Sequence, residues 1–193
     1  ATADRATRED IAAKLFRNNG RIIVHGFHRP NLRLGVAEKS NWKAQLSAFL
    51  EDKTGQSGIV YCLSRKYTEE VATYLNDKGI SALPYHAGLD TEVRIANQDL
   101  FNRDEADIIV ATIAFGMGID KSNVRFVIHA DLPRSVEGYY QETGRAGRDG
   151  LHADCLLLYS TGDISKIRYH IDRMKKKGER ERAERNLQRI VTL

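Results

Sequence analysis

Apolar residues gather in short runs at positions 22–24, 58–62, 82–85, 107–111, 124–128 and 155–159. Most are nearly continuous, as in strands buried on both faces of a parallel sheet. Between them the apolar period lengthens to helical spacing. Residues 42–52 carry Trp42, Leu46, Phe49 and Leu50 on one stripe. Residues 67–78 carry Val71, Tyr74 and Leu75, and residues 91–101 carry Val93, Ala96, Leu100 and Phe101. Asn76-Asp77-Lys78-Gly79 supplies a glycine stop for the middle helix. This rhythm predicts an α/β layered sandwich around a mostly parallel sheet.

The two ends read differently. Thr7 is expected to cap a helix from Arg8, with Glu9 and Asp10 in its first turn and Asn18-Asn19-Gly20 ending it. From Glu179 on, Ala183, Leu187, Ile190 and Val191 form an apolar stripe at helical spacing. That stripe asks for a partner just as the chain stops. The expected division is therefore 1–20 as a connecting piece, 21–173 as the main lobe, and 174–193 as the truncated start of another subdomain.

Composition is globular, with 41% hydrophobic and 29% charged residues among 193. No apolar run has the length of a membrane span and no signal-peptide pattern opens the chain, so an intracellular protein without a membrane partner is expected. Cys62 and Cys155 sit inside apolar runs and read as reduced core residues, and no CxxC pair suggests a structural zinc site. The net charge is +4. Residues 164–193 hold ten Lys/Arg against four Asp/Glu, and the remainder twenty against twenty-two. The basic balance thus belongs to the C-terminal end, which suits either a phosphate backbone or a solvated helix.

Candidate chemistry concentrates in QETGRAGRDG, residues 141–150. If helical, spacings of four and three place Gln141, Arg145 and Arg148 on one face. A carboxamide and two planar guanidiniums suit a ligand with several anionic oxygens. In open α/β sheets ligands sit at the carboxyl ends of the strands. The loops expected there are Leu63-Ser64-Arg65, His86-Ala87-Gly88, residues 112–121 starting at Thr112, and His129-Ala130-Asp131-Leu132-Pro133. Hydroxyls, small residues and free helix N-termini recur in them, which suits a nucleic-acid backbone. Taken singly, Ser64 is an ordinary cap and His86 an ordinary hydrogen-bonded loop histidine. Tyr139-Tyr140 reads as core packing. The segment at Gly116 and Gly118 lacks the third glycine of a dinucleotide fingerprint. No GxSxG elbow is present, and His25-x-x-His28 lacks the glutamate of a zinc protease.

IVYCLSR at 59–65, YHAGL at 85–89, ATIAFGMGIDK at 111–121 and YYQETGRAGRDG at 139–150 resemble, in wording and order, the fourth to sixth helicase motifs of RecQ-type DNA helicases. Ala1-Thr2-Ala3 is similar to the end of the third. The resemblance implies the second RecA-like lobe of a superfamily-two motor, a P-loop-NTPase-type three-layer sandwich. It implies ATP bound between two lobes, with Mg2+ and most phosphate contacts supplied by an N-terminal RecA-like lobe. Neither Gly-x-x-x-x-Gly-Lys-Ser/Thr nor DEAH occurs here, so the lobe alone is expected to lack ATPase activity. By position, Arg148 matches the arginine finger, Arg145 its assistant, and Gln141 the residue beside the γ-phosphate and attacking water. Gly118 and Asp120 would approach the ATP ribose. Ser64, Arg65, His86, Gly88 and Thr112 would face single-stranded DNA.

The implied activity is ATP-dependent 3′-to-5′ DNA translocation and duplex unwinding in repair and recombination, in a nucleus or bacterial nucleoid. A non-enzymatic DNA- or partner-binding module and an RNA helicase lobe are the alternatives.

Overall fold

The structure, a computed structural model, describes residues 5–16, 20, 23, 29–116 and 120–191. It divides into two compact units, Ala1–Pro30 and Asn31–Leu193. In the first, α1 spans Arg5–Phe16. Thr7 therefore lies inside the helix and is not its cap, because Arg5 and Ala6, both good helix formers, extend it toward the N-terminus. Of the run expected at 22–24 only Ile23 is described, and it is not in a strand. The stop expected at Asn18-Asn19 lies outside the described residues.

The second unit runs β1 (Leu32–Glu38), α2 (Trp42–Leu50), β2 (Gly58–Tyr61), α3 (Arg65–Asp77), β3 (Ala82–Tyr85), α4 (Thr91–Asn102) and β4 (Ile108–Ala111). It continues through β5 (Phe126–His129), α5 (Val136–Thr143), β6 (Ala153–Tyr159), α6 (Thr161–Asp172) and α7 (Lys177–Val191). The strands form one sheet in the order β1-β6-β5-β2-β4-β3. Every pairing is parallel, so the expected α/β sandwich holds. The central strands β2, β4 and β5 are buried at every position, which is why they read as unbroken apolar runs. β1 is the strand the runs did not announce. Leu34 and Val36 of this edge strand are exposed, while Leu32, Gly35 and Ala37 are partly buried.

Alternation along the strands feeds two cores. Val60, Cys62, Val110, Ile128 and Phe126 pack with Leu46 and Leu50 of α2 and Val71 and Leu75 of α3. Ile59, Tyr61, Ile109, Val127 and Cys155 pack on the other face with Phe101 of α4, Phe115 and Ala146. Truncating Leu75, 1% exposed, to alanine would cost about 2–5 kcal/mol. Both cysteines are free and buried, and burial drives the Cys62 thiol well above its ordinary pKa. α3 starts at Ser64, whose hydroxyl accepts from the Tyr67 amide at 3.2 Å, and closes at Lys78 and Gly79 as expected. At the C-terminal end the helical stripe is met within the chain: Ala183 and Leu187 pack with Ile167 and Ile171 of α6 and with Leu132.

Candidate functional site

A parallel sheet presents all its carboxyl ends on one edge. The strand order therefore sets the loops after β3, β4, β2 and β5 side by side. Ser64 and Arg65, after β2, are exposed at the start of α3. The Arg65 side chain lies across the backbone at Gly88, after β3. Thr112, after β4, is tied to its neighbour strand by its amide, which donates to the Tyr85 carbonyl at 3.1 Å. The Thr112 carbonyl accepts from the Phe115 amide at 3.0 Å and opens a tight turn. His86 is 3% exposed. Its Nδ1 accepts from the Gly88 amide at 3.2 Å, and its Nε2 meets Glu69 Oε1 at 3.1 Å. With both ring nitrogens engaged, His86 shapes the loop and does not reach outward.

The arginines occupy a different place. α5 begins beside the carboxyl edge, where the Ser135 hydroxyl caps it by accepting from the Gly138 amide at 3.0 Å. It ends at Thr143, with Gly144 as its C-cap. Arg145 and Arg148 therefore lie in a following turn, not on a shared helical face with the exposed Gln141. The glycines supply the reason. Gly147 has φ +56°, and a Cβ there would lie 2.5 Å from Asn31 Nδ2 and 2.7 Å from the Leu151 carbonyl oxygen. The Gly147 amide donates to the Val124 carbonyl at 2.8 Å, which holds this turn next to the start of β5. Asn31 secures it by donating through Nδ2 to the carbonyls of Gly147 and Leu151, each at 2.9 Å.

One loop joins the two places. It leaves the edge at Thr112 and reaches the arginines at Gly116 and Asp120. Asp120 Oδ1 accepts from Arg148 Nη1 at 2.7 Å, with side chains 93% and 33% exposed. A Cβ on Gly116 would sit 2.9 Å from Arg145 Nη2, so glycine leaves the guanidinium its room. The buried Tyr61 hydroxyl donates to the Phe115 carbonyl at 3.1 Å. Burial raises the Tyr61 pKa, against the pull of the nearby Arg145 guanidinium. The Tyr61 ring stacks on His129 at 5.3 Å, and His129 Nε2 donates to Glu142 Oε2 of α5 at 2.7 Å. Arg145 Nε is buried without a hydrogen-bond partner among the described residues. Gly118 lies outside the described residues.

The model of the helicase conserved C-terminal domain matches residues 41–150. The chain belongs to that family. It is 52% identical over 165 residues to "ATP-dependent DNA helicase RecQ" of Pasteurella multocida, covering 86% of this chain and 26% of that protein. It is 45% identical over 172 residues to "RecQ-like DNA helicase BLM" of Xenopus laevis, covering 87% and 13%. The crystal structure of a DEAD box protein from the hyperthermophile Methanococcus jannaschii aligns with a TM-score of 0.65 and 27% identity, over 92% of this chain and 48% of that one. The RecQ-type helicase C-terminal lobe expected from the motifs is upheld. The chain spans about a quarter of the length of its bacterial relatives.

Several residues that build this helicase lobe escaped the sequence reading. Tyr61, Phe115, His129 and Glu142 lie around the arginine turn; all but Tyr61 fall in the expected loops and motif, yet no bracing role is visible from the sequence. A second charged group lies at the carboxyl ends of β1, β5 and β6. Lys39 Nζ meets Asp131 Oδ1 at 2.8 Å and Asp163 Oδ1 at 3.1 Å. Lys166 Nζ meets the same two oxygens at 3.2 and 3.1 Å. The second carboxylate oxygens accept backbone amides, Asp131 from Leu63 at 2.9 Å and Asp163 from Ser160 at 3.0 Å. Burial pushes the Asp163 pKa up, but the two ammoniums prevail and leave it lowered. Tyr139 and Tyr140 divide: Tyr139 is half-buried against His129, its pKa raised by burial to about 12, whereas Tyr140 is 45% exposed.

Proposed function

We propose that this lobe completes the ATP site of an ATP-dependent DNA helicase, with Arg148 as the group that meets the γ-phosphate. The observation that carries the reading is the loop from Thr112 to Asp120, which starts among the strand-end loops and finishes in contact with the arginine turn. A change at the nucleotide is thereby linked mechanically to the edge that would hold DNA.

The residues suit a polyphosphate. Two guanidiniums supply fixed charge with several donors. Gly116 keeps open a space that a Cβ would fill beside Arg145. Asp120 neutralises Arg148 in the lobe by itself, and a γ-phosphate brought by the N-terminal lobe would take over that guanidinium. Gln141, exposed on α5, would orient the attacking water. Asp120, once released, and Gly118 would lie toward the ribose. Mg2+ would be held by the N-terminal lobe and the nucleotide, since no cluster of three His, Cys, Asp or Glu side chains suited to a metal occurs among the described residues.

At the edge, Ser64, Arg65, Gly88 and Thr112 would grip the phosphates of single-stranded DNA, with His86 acting through the shape of its loop. Closure of the lobes on ATP and reopening after hydrolysis would carry this edge along the strand, with 3′-to-5′ polarity, to unwind duplexes in repair and recombination. The site of action would be wherever cellular DNA resides, in a nucleus or bacterial nucleoid. No described helix is long and apolar enough to cross a membrane.

The test is Arg148→Ala in the full-length protein, with ATP hydrolysis measured with and without single-stranded DNA. Turnover should fall by about 10³–10⁵ while DNA affinity holds, the magnitude associated with loss of an arginine finger. Near-normal turnover removes Arg148 from that role. A wild-type protein with no DNA-stimulated hydrolysis overturns the motor reading altogether.

A further inference from the structure

A crevice of about 360 Å³ opens on the carboxyl edge between the end of β2, the end of β5 and α6. Leu63, Ser64, Asp131, Lys166, Tyr169 and His170 line it. None of the sequence motifs points to α6. The size falls within the roughly 300–1,000 Å³ of small-molecule sites. The wall is largely apolar: the Leu63 side chain, the Lys166 stem and the two rings. Tyr169 is 57% exposed, with the Arg173 guanidinium over its ring at 5.1 Å. A tyrosine that leaves so much ring in solvent, next to a cavity and braced by a cation, has the form of a stacking platform.

The charges in the wall decide what fits. Both oxygens of Asp131 and the ammonium of Lys166 are spent on each other, on Asp163 and on backbone. The charges at the floor are thus balanced against one another, so the crevice offers a phosphate little net attraction. A flat, neutral, aromatic group needs none. Position supplies the rest. Ser64 belongs both to the crevice wall and to the row of strand-end loops. Neighbouring strands lie about 4.8 Å apart. A strand running past the loops of β3, β4 and β2 would thus reach the crevice within a few nucleotides, with the exposed Arg65 beside its backbone.

We infer that this crevice receives one unpaired base of the bound DNA strand, stacked on Tyr169, while the flanking phosphates stay outside near Ser64 and Arg65. The site rests on the reading that this edge holds DNA. It adds a sequence-tolerant, base-dependent grip to a surface otherwise suited to backbone alone.

The experiment uses the full-length protein and an oligo(dT) strand in which a single abasic residue is moved position by position. In the wild type, one register of the abasic residue should weaken binding by about 5–100-fold, the loss of one stacked base. Tyr169→Ala should bind the intact strand as weakly as the wild type binds that abasic strand, and should no longer distinguish the two. Tyr169→Trp should retain the distinction. ATP hydrolysis without DNA should be the same in all three. Tyr169→Ala binding the intact strand with wild-type affinity overturns the crevice while DNA-stimulated hydrolysis remains normal. So does Tyr169→Ala keeping the abasic penalty at the same register. Absence of DNA-stimulated hydrolysis in the wild type marks the separate failure of the motor reading, and this site falls with it.

Discussion

The lobe carries two groups of opposed charges built on different principles. In the Lys39–Asp131–Asp163–Lys166 group, two carboxylates and two ammoniums satisfy one another, backbone amides take the remaining oxygens, and Asp131 and Asp163 are 2% and 0% exposed. In the arginine turn, Arg148 forms an ion pair with the exposed Asp120, and Arg145 runs beside Tyr61 and past Gly116. The first group has little left to give to a ligand and fastens β1, β5 and α6 together. The second places a guanidinium against an acid whose side chain is 93% exposed. Saturation marks a structural cluster, and a partner that a phosphate can replace marks a working one.

That contrast breaks first at Arg148→Ala, the largest effect expected: turnover collapses while the melting transition barely moves. The mirror-image case is Asp163→Ala. It leaves Lys39 and Lys166 to share Asp131 alone, and losing one partner of a buried pair costs about 3–5 kcal/mol. Denaturant unfolding should show that loss, with ATP turnover per folded molecule close to normal. If Asp163→Ala instead spares stability and abolishes turnover, the assignment of the two groups is reversed.

Acid sharpens the same distinction. Asp163 has a lowered folded pKa, so its contribution is present above the ordinary carboxylate value of about 4 and is lost as pH falls through the lower folded value. The wild type should lose stability steeply below about pH 4. Asp163→Asn should start lower and show a flatter acid limb, readable from unfolding midpoints across pH. Equal slopes in the two proteins would mean that Asp163 is not a stabilising anion.

Gly116→Ala probes the working group alone. Its Cβ would meet the flexible end of Arg145, so the side chain gives way and the fold survives. A misplacement near 1 Å can cost about 10²-fold in rate. Steady-state kinetics should show that fall with little change in the unfolding midpoint. Smallest of all, Tyr61→Phe removes a hydroxyl bonded to the Phe115 carbonyl. It should cost about 0.5–1.5 kcal/mol of stability, measured by denaturant unfolding, with a modest drop in turnover.

The sequence by itself determined the layered α/β class, because short apolar runs alternating with helical stripes fit buried parallel strands and their covering helices. It also marked the strand-end loops and the glycine-rich turn after α5, since loop and glycine patterns are local. Gly79 closing α3 and Ser64 capping it follow from chemistry within a few residues. β1 was not read from the sequence, since its large apolar residues at Leu34 and Val36 are exposed and leave no continuous buried run. The single helical face for Gln141, Arg145 and Arg148 did not survive, because Gly144 and Gly147 end the helix before its arginines. Only the tertiary structure decided that Asn31 pins this turn, that Tyr61 bonds the Phe115 carbonyl, and that Lys39 meets Asp163. Those partners lie tens of residues or more apart, and the parallel crossovers bring them together; no periodicity along a chain encodes which distant side chains a sheet will set at neighbouring strand ends.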